Sequence, residues 1–357
     1  MIDPRFALKA ALGALDVART MVLRKDDRPF ILNHLVTVRC NLACPHCYVS
    51  GPEQVEFNKV RFPRKSEMNT EEMCAFYRQL VAAGFKIAIV LGGEPLLRDD
   101  LGRLLEVLRD HLYITVFSNG YLLEERVELV QHATNLFVSL DAPDEQHDVL
   151  RARPGTFRRA LAGIEAVRSR HPKVKVAVNM TVTTANVQRV PEMIAFAKRL
   201  GVPVAFQPPT YDGQFTLDDR PHQVSAQNVP GAADVAEAFR AIRAAADGGE
   251  RIIGSRAFFD LVIENRPAYP CFYPSYVLGP VMPNGDVVGC ISGGVIGNVR
   301  TTPVPALVKT VAWQANAAAG PSCAKGCRDW GIHDLSAARS RRFRLDDAKR
   351  YAAAFVG

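Results

Sequence analysis

From Ile31 onward the chain alternates short apolar runs with longer stretches whose apolar residues recur every three to four positions. The short runs cover 31–38, 86–91, 113–117, 135–140, 174–182 and 203–207, and their length and β-branched content suit buried strands. Between them a helical period covers 70–83, 99–110, 122–132, 156–170 and 191–200. Local signals agree with these bounds. Asn69 followed by Glu72 makes a capping-box pattern, and Pro191 opens a helix that Gly201 closes. Strand and helix in regular alternation, with short connections, predict parallel strands covered by helices. Six such units are too few for a closed eight-stranded barrel. The expectation is an open, partial α/β barrel with its chemistry at the carboxyl ends of the strands.

Upstream, residues 6–24 carry Leu8, Leu12, Leu15 and Val22 on one helical stripe, with Lys9, Asp16 and Arg19 off it. Such a helix packs on the main domain; the sharper alternative is peripheral contact with a membrane beside a lipid substrate. Downstream, 211–235 is polar and rich in Gly, Pro, Asp and Gln, which reads as a linker, and a helix follows over 232–246. A second unit begins near residue 255. Runs 277–281 and 286–290 read as two strands around Pro283-Asn284-Gly285-Asp286, a strong hairpin turn. The expected organisation is an N-terminal amphipathic helix over 1–28, a core over 29–210 and a linker with a helix over 211–254, then a cysteine-bearing domain over 255–335 and a tail helix over 336–357.

The connection after the first strand reads Cys40-Asn41-Leu42-Ala43-Cys44-Pro45-His46-Cys47, a CxxxCxxC run. Three thiolates from one loop can hold three irons of a [4Fe–4S] cube and leave the fourth iron open, which chemistry needs and a structural site avoids. Zinc is the plainer alternative, but it favours four ligands and CxxC pairs, and no partner pair lies nearby in sequence. The second strand ends in Leu91-Gly92-Gly93-Glu94-Pro95. Two glycines let backbone approach a ligand closely, and a carboxylate can meet an ammonium group. Cys271, Cys290, Cys323 and Cys327 make up the number a closed site requires, for a second iron–sulfur cluster or for structural zinc. Cys74 lies in a helix away from both sets and reads as a small buried apolar residue.

CxxxCxxC after the first strand, followed by Gly92-Gly93-Glu94-Pro95 after the second, resembles the radical S-adenosylmethionine (radical SAM) enzymes over about residues 30–210. The resemblance implies a partial (β/α)6 TIM-like barrel in which Cys40, Cys44 and Cys47 bind a catalytic [4Fe–4S] cluster. It implies that the amino and carboxylate groups of S-adenosylmethionine chelate the open iron and that Gly92, Gly93 and Glu94 hold the methionine ammonium. Ser118, Asn119, Ser139 and Asp141 would approach the methionine or ribose, Arg151 or Arg153 the cofactor carboxylate, and Asn179, Thr181 and Gln207 the adenosine side. Turn formation or helix capping is the plainer role of each. Relatives often carry Arg-Gly where this chain has Arg151-Ala152, which leaves the choice of arginine open. Cys290 at the hairpin's end, the Cys323–Cys327 pair and the segment 293–300 are similar to twitch, the reduced form of the SPASM auxiliary-cluster domain. The final pair is CxxxC where CxxC is common, and the fuller cysteine pattern is absent. One auxiliary [4Fe–4S] cluster is therefore implied, two clusters in all.

By the same resemblance, an electron from a donor such as flavodoxin or ferredoxin cleaves S-adenosylmethionine to a 5′-deoxyadenosyl radical, which removes a hydrogen atom from the substrate. The roughly thirty residues before the first strand are too few for the N-terminal peptide-recognition domain of many peptide-modifying members, which favours a small-molecule or lipid-like metabolite. A SPASM-type peptide maturase and a non-catalytic metal-binding regulatory protein are the alternatives. Tyr211, Asp212, Tyr273, Tyr276 and Trp330 are substrate-side candidates, with core or cluster packing as their plainer role. Composition adds little. A net charge of +7 suits an anionic substrate or offsets cluster thiolates, and without basic runs interleaved with aromatics it does not point to nucleic acid. The chain shows no secretory leader and no apolar run that could span a bilayer. The expectation is a cytoplasmic protein whose clustered cysteines bind metal rather than form disulfides.

Overall fold

The computed structural model describes residues 28–208, 226–265, 270–290, 294–323, 327 and 329–355. The helix expected over 6–24, the early part of the linker with Tyr211 and Asp212, and Gly293 lie outside the described residues. Seven parallel strands follow one another in sequence order: β1 (Ile31–Leu35), β2 (Ile87–Leu91), β3 (Tyr113–Ser118), β4 (Asn135–Ser139), β5 (Lys175–Thr181), β6 (Val204–Gln207) and β7 (Ile252–Ile253). The first six fall on the expected apolar runs. β7 is too short to print a pattern in the sequence.

The helices Thr70–Ala82, Leu101–Leu108, Thr156–Arg170, Val190–Leu200 and Ala232–Asp247 connect or follow these strands. The capping box is complete: Glu72 N donates to Asn69 Oδ1 at 3.0 Å and Asn69 N to Glu72 Oε2 at 2.9 Å. Gly201 ends its helix in the left-handed region, at φ 72°. Leu101, Leu104, Leu105 and Leu108 are all fully buried, each contributing roughly 1.5–3 kcal/mol of hydrophobic stabilisation. The helix expected over 122–132 does not form. Leu123, Val127 and Val130 are buried, but only Val127–Val130 coils, as a 3₁₀ turn. Leu123 presses into the helix Thr156–Arg170 at Gly163, where a Cβ would stand 2.6 Å from the Leu123 Cβ.

The strands bury both faces, as a parallel sheet must. Ala88, Val90, Ile114, Val116, Leu136, Val138, Val176 and Val178 belong to the main core under the helices. On the other face Phe137, Ala177, Ala205 and Ile253 form a separate cluster against Phe117, Trp330 and Tyr351. Trp330 opens the helix Trp330–Arg339 and Tyr351 lies in the helix Leu345–Phe355, so C-terminal segments fill the inner face of the sheet.

The hairpin forms as expected, with Gly285 at φ 90° turning β8 (Val277–Val281) into β9 (Asp286–Val288). Its neighbours were not legible. β8 pairs parallel with β1, and β10 (Val295–Asn298) pairs antiparallel with β9, giving one open sheet ordered β10-β9-β8-β1-β2-β3-β4-β5-β6-β7. Every residue of β8 is buried, which fits a strand inside the sheet. Among the described residues no helix is long and apolar enough to cross a membrane.

Candidate metal and cofactor site

β1 delivers the cysteine loop to the carboxyl edge of the sheet. Cys44 is buried and Cys40 and Cys47 are partly so. The loop is wound with donors facing sulfur: Leu42 N lies 3.4 Å from Cys40 Sγ, and Val49 N and Ser50 N lie 3.4 and 3.2 Å from Cys47 Sγ. Asn119 Nδ2 donates to Asn41 Oδ1 at 2.8 Å and reaches Cys40 Sγ at 3.7 Å. Arg151 Nη1 stands 3.9 Å from Cys44 Sγ. Burial pushes the Cys40 thiol up to about 12 and the Cys44 thiol up to about 11. Thiols so desolvated stay protonated unless a cation binds them, and N–H groups aimed at sulfur stabilise the charge that ligated thiolates carry. The donor set therefore fits a three-cysteine iron–sulfur site.

The two glycines of the second loop serve the protein's own backbone. Gly93 N donates to Thr37 O and Glu94 N to Arg39 O, both at 2.8 Å, so the β1 and β2 loops stay paired beyond the strand ends. A Cβ at Gly93 would stand 2.6 Å from Val38 O and from the Arg39 carbonyl carbon. Glu94 is fully buried. Its Oε1 accepts from Leu96 N at 3.0 Å and Ser118 Oγ at 2.9 Å, and its Oε2 from Asn119 N at 2.7 Å. Burial lifts its carboxyl to about 7, against the pull of these three donors.

Asp141 follows β4 and is fully buried. Its Oδ2 lies 2.6 Å from Arg151 Nε and 3.3 Å from His46 Nε2, and its Oδ1 accepts from Thr181 N at 2.9 Å. Burial alone would raise this carboxyl, but Arg151 and His46 hold it well below the usual range. Arg153 donates to Asn41 O at 2.6 Å and stacks 3.9 Å above the Tyr121 ring. Ser139 and Asn179 face each other across β4 and β5, and Asn179 Oδ1 is buried without a hydrogen-bond partner. Gln207 Oε1 accepts from Trp330 N at 3.2 Å, tying the end of β6 to the C-terminal helix.

The structure thus joins the cysteine loop, Glu94, Ser118, Asn119, Asp141, Arg151 and Arg153 in one network, with Ser139 and Asn179 on the neighbouring strand ends. Sequence reasoning passed over Asn41, whose Nδ2 is buried without a partner, and His147, whose Nδ1 accepts from Asp141 N at 3.0 Å. The position of Asn41 inside the cysteine loop, and the helical i,i+4 spacing of His147 and Arg151, were the available signals.

Cys271, Cys290 and Cys327 pack against a second cluster containing Phe30, Tyr273, Tyr276 and Ile332. Burial pushes the Cys271 thiol up to about 11, with charge on Cys290 and Cys323 adding to it. Cys327 is pushed higher, by burial and then by Cys290, Cys271 and Cys323, so the four lie within one another's field. Among the described residues no three His, Cys, Asp or Glu side chains are drawn close enough to hold a single metal ion. Tyr273 accepts from Asn33 Nδ2 at 3.0 Å, and its hydroxyl, raised by burial, also feels Cys290, Asp329 and Tyr48. Tyr276 packs on Phe30 with ring centroids 5.5 Å apart, and Trp330 meets Phe137 at 5.7 Å, both as core aromatics. Cys74 is buried in its helix as expected.

Residues 35–197 match the family described as the Radical SAM superfamily. The AdoMet-dependent heme synthase of Methanosarcina barkeri is 33% identical over 185 residues, 50% of this chain and 50% of that protein. The sporulation killing factor maturation protein SkfB of Bacillus subtilis is 30% identical over 164 residues, 44% of this chain and 37% of that protein. The chain spans about half the length of the curated relatives it matches. In fold it is similar to anSMEcpe with bound AdoMet and Cp18Cys peptide, with TM-score 0.61, 16% identity and coverage of 92% of this chain and 98% of that one. It is likewise similar to Streptococcus suis SuiB bound to S-adenosylmethionine, with TM-score 0.59, 16% identity and coverage of 81% and 68%.

Proposed function

Residues 35–197 are a radical SAM domain, and on that premise we propose an enzyme that cleaves S-adenosylmethionine reductively and abstracts a hydrogen atom from a small-molecule or lipid-like metabolite. The observation that carries this reading is the network at the ends of β1, β2 and β3, where Cys40, Asn119 and Glu94 are joined through hydrogen bonds. A [4Fe–4S] cluster with S-adenosylmethionine supplies, when bound, a radical that abstracts hydrogen. The chain's own residues bind, orient and exclude. Cys40, Cys44 and Cys47 hold the cluster, and the Gly92–Glu94 backbone with the Glu94 carboxylate receives the methionine ammonium. Ser118, Ser139 and the partnerless Asn179 Oδ1 would meet the cofactor's polar groups, and Arg153 would take its carboxylate. Phe117, Phe137 and Trp330 close the inner face of the sheet and keep water from the reacting bond.

Cys271, Cys290, Cys323 and Cys327, in a domain over 255–335, hold one auxiliary [4Fe–4S] cluster that assists electron transfer, and a small electron-carrier protein delivers the reductant. A peptide substrate is the second reading. The fold similarity that covers 92% of this chain, to a protein solved with a peptide, favours keeping it. Anaerobic reconstitution, iron counting and assay for 5′-deoxyadenosine under dithionite test the proposal. About eight irons per chain with cleavage support it, about four irons remove the auxiliary cluster, and no cleavage by a cluster-loaded chain overturns the enzyme reading. A short peptide that binds and raises 5′-deoxyadenosine formation would move the substrate to the second class.

A further inference from the structure

Arg151 and Asp141 were expected at the cofactor, but their contacts lead to a cysteine. Arg151 is buried, follows the helix Gln146–Leu150 and sets Nε 2.6 Å from Asp141 Oδ2. That contact is a charge pair rather than an aligned hydrogen bond. The other end of the guanidinium, Nη1, lies 3.9 Å from Cys44 Sγ, and the Arg151 carbonyl lies 3.8 Å from the same sulfur. Asp141 is fixed in turn by Thr181 N at 2.9 Å and His46 Nε2 at 3.3 Å, so a guanidinium that swung away would leave this buried carboxylate without its shortest charge contact.

We propose that Arg151, held by Asp141, is a positioning residue that sets the reduction potential of the cluster through Cys44 and is not the ligand of the cofactor carboxylate. This rests on Cys40, Cys44 and Cys47 holding the cluster. Reduction adds an electron to a centre already made negative by three thiolates. A cation one sulfur away, in a desolvated site, stabilises the reduced form. The carboxylate behind it opposes that effect from farther off. The two charges therefore act with opposite sign.

Potentiometric titration of the reconstituted full chain, read by electron paramagnetic resonance, measures the effect, with the first cluster identified by its response to added S-adenosylmethionine. R151Q is expected to shift the potential negative by about tenfold in the one-electron equilibrium, about 59 mV, and D141N to shift it positive. S-adenosylmethionine affinity stays unchanged in R151Q. Shifts of the same sign, no shift, or weakened S-adenosylmethionine binding at an unchanged potential overturn the assignment. R151K keeps the charge and guards against simple loss of structure. It should retain iron and a potential near wild type, and a potential like that of R151Q overturns the proposal. A wild-type chain that takes up no iron overturns the cluster assignment together with this role; iron uptake with unshifted variants overturns the role alone.

Discussion

Replacing Gly93 with alanine asks whether the glycine pair serves the seam between two loops or only a ligand. The added Cβ would stand 2.6 Å from Val38 O and from the Arg39 carbonyl carbon, and closer still to the Arg39 oxygen, where real Cβ atoms keep at least 3.0 Å. The obstructing atoms are backbone, so no side chain can rotate away, and the loops must part by roughly half an ångström or more. Parting stretches Gly93 N to Thr37 O and Glu94 N to Arg39 O, both now 2.8 Å. Those two hydrogen bonds contribute about 1 kcal/mol each and overpacking strain adds about 1–3, for a loss of about 3–5 kcal/mol. Urea unfolding of the apo chain followed by circular dichroism measures that loss, and iron content after reconstitution reports the cysteine loop. We expect the full destabilisation and loss of the first cluster's iron. Gly84→Ala is the control: its φ of 78° has open space around it, so it costs only about 1–2 kcal/mol of left-handed strain and leaves the iron untouched. A Gly93→Ala chain as stable as wild type, with full iron, refutes the seam argument.

Cys44→Ser is expected to lower iron from about eight to about four per chain and abolish 5′-deoxyadenosine formation, whereas the pair Cys323→Ser and Cys327→Ser loses the same iron and keeps cleavage; identical phenotypes would merge the two sites. Arg98 is buried with ion pairs to Asp100 at 2.7 Å and Glu67 at 3.6 Å, and it also donates to Val36 O and Met68 O. Arg98→Met removes these contacts but leaves Glu67 its partners Thr37 and Arg39 and Asp100 its partner Thr70, so it should cost about 1.5–3 kcal/mol in denaturant unfolding; a chain near wild-type stability would show that the pairs are neutral. His34 is fully buried, and burial followed by the charge of Arg98 lowers it to about 3 from 6.5. Between those values the unfolded chain binds a proton that the folded chain refuses, so stability falls as pH drops through that window. At pH 5 the loss is about 2 kcal/mol relative to His34→Gln, which lacks this titration, and equal pH slopes in the two chains would contradict it.

The parallel core was legible because its strands are buried on both faces and therefore stand out as apolar runs between helical periods. Partner choice over long separations was not legible. The hairpin over 277–288 announces itself through Asn284-Gly285, yet nothing local says that β8 will lie beside β1 at the register Ile31 to Val277. The stretch 122–132 has helical periodicity, yet only Val127–Val130 coils, with Leu123 packed on Gly163. At the site, residue types and spacing marked the candidate cysteines, while the direction of the charged side chains stayed hidden. Sequence marked Arg151 and Asp141 as candidate cofactor contacts but not that they meet each other beside Cys44.

That difference follows from how the site is assembled. Each motif ends one of several adjacent parallel strands, about 4.8 Å apart, so a side chain a few atoms long spans from one strand end to the next. Glu94 uses that reach to bind the β3 end through Ser118 and Asn119, and Asn119 returns to Asn41 and Cys40 on the β1 loop. Asp141 reaches across to Thr181 N on β5 and, through Arg151, back to Cys44. The cysteine loop is thereby held from two sides by polar groups that are themselves buried. Loosening any one of them leaves an unpaired group in a desolvated place, at a cost larger than the bond itself. The sequence displays the candidate cysteines plainly because their spacing is local, whereas the residues that fix their geometry become visible only once the strands are side by side.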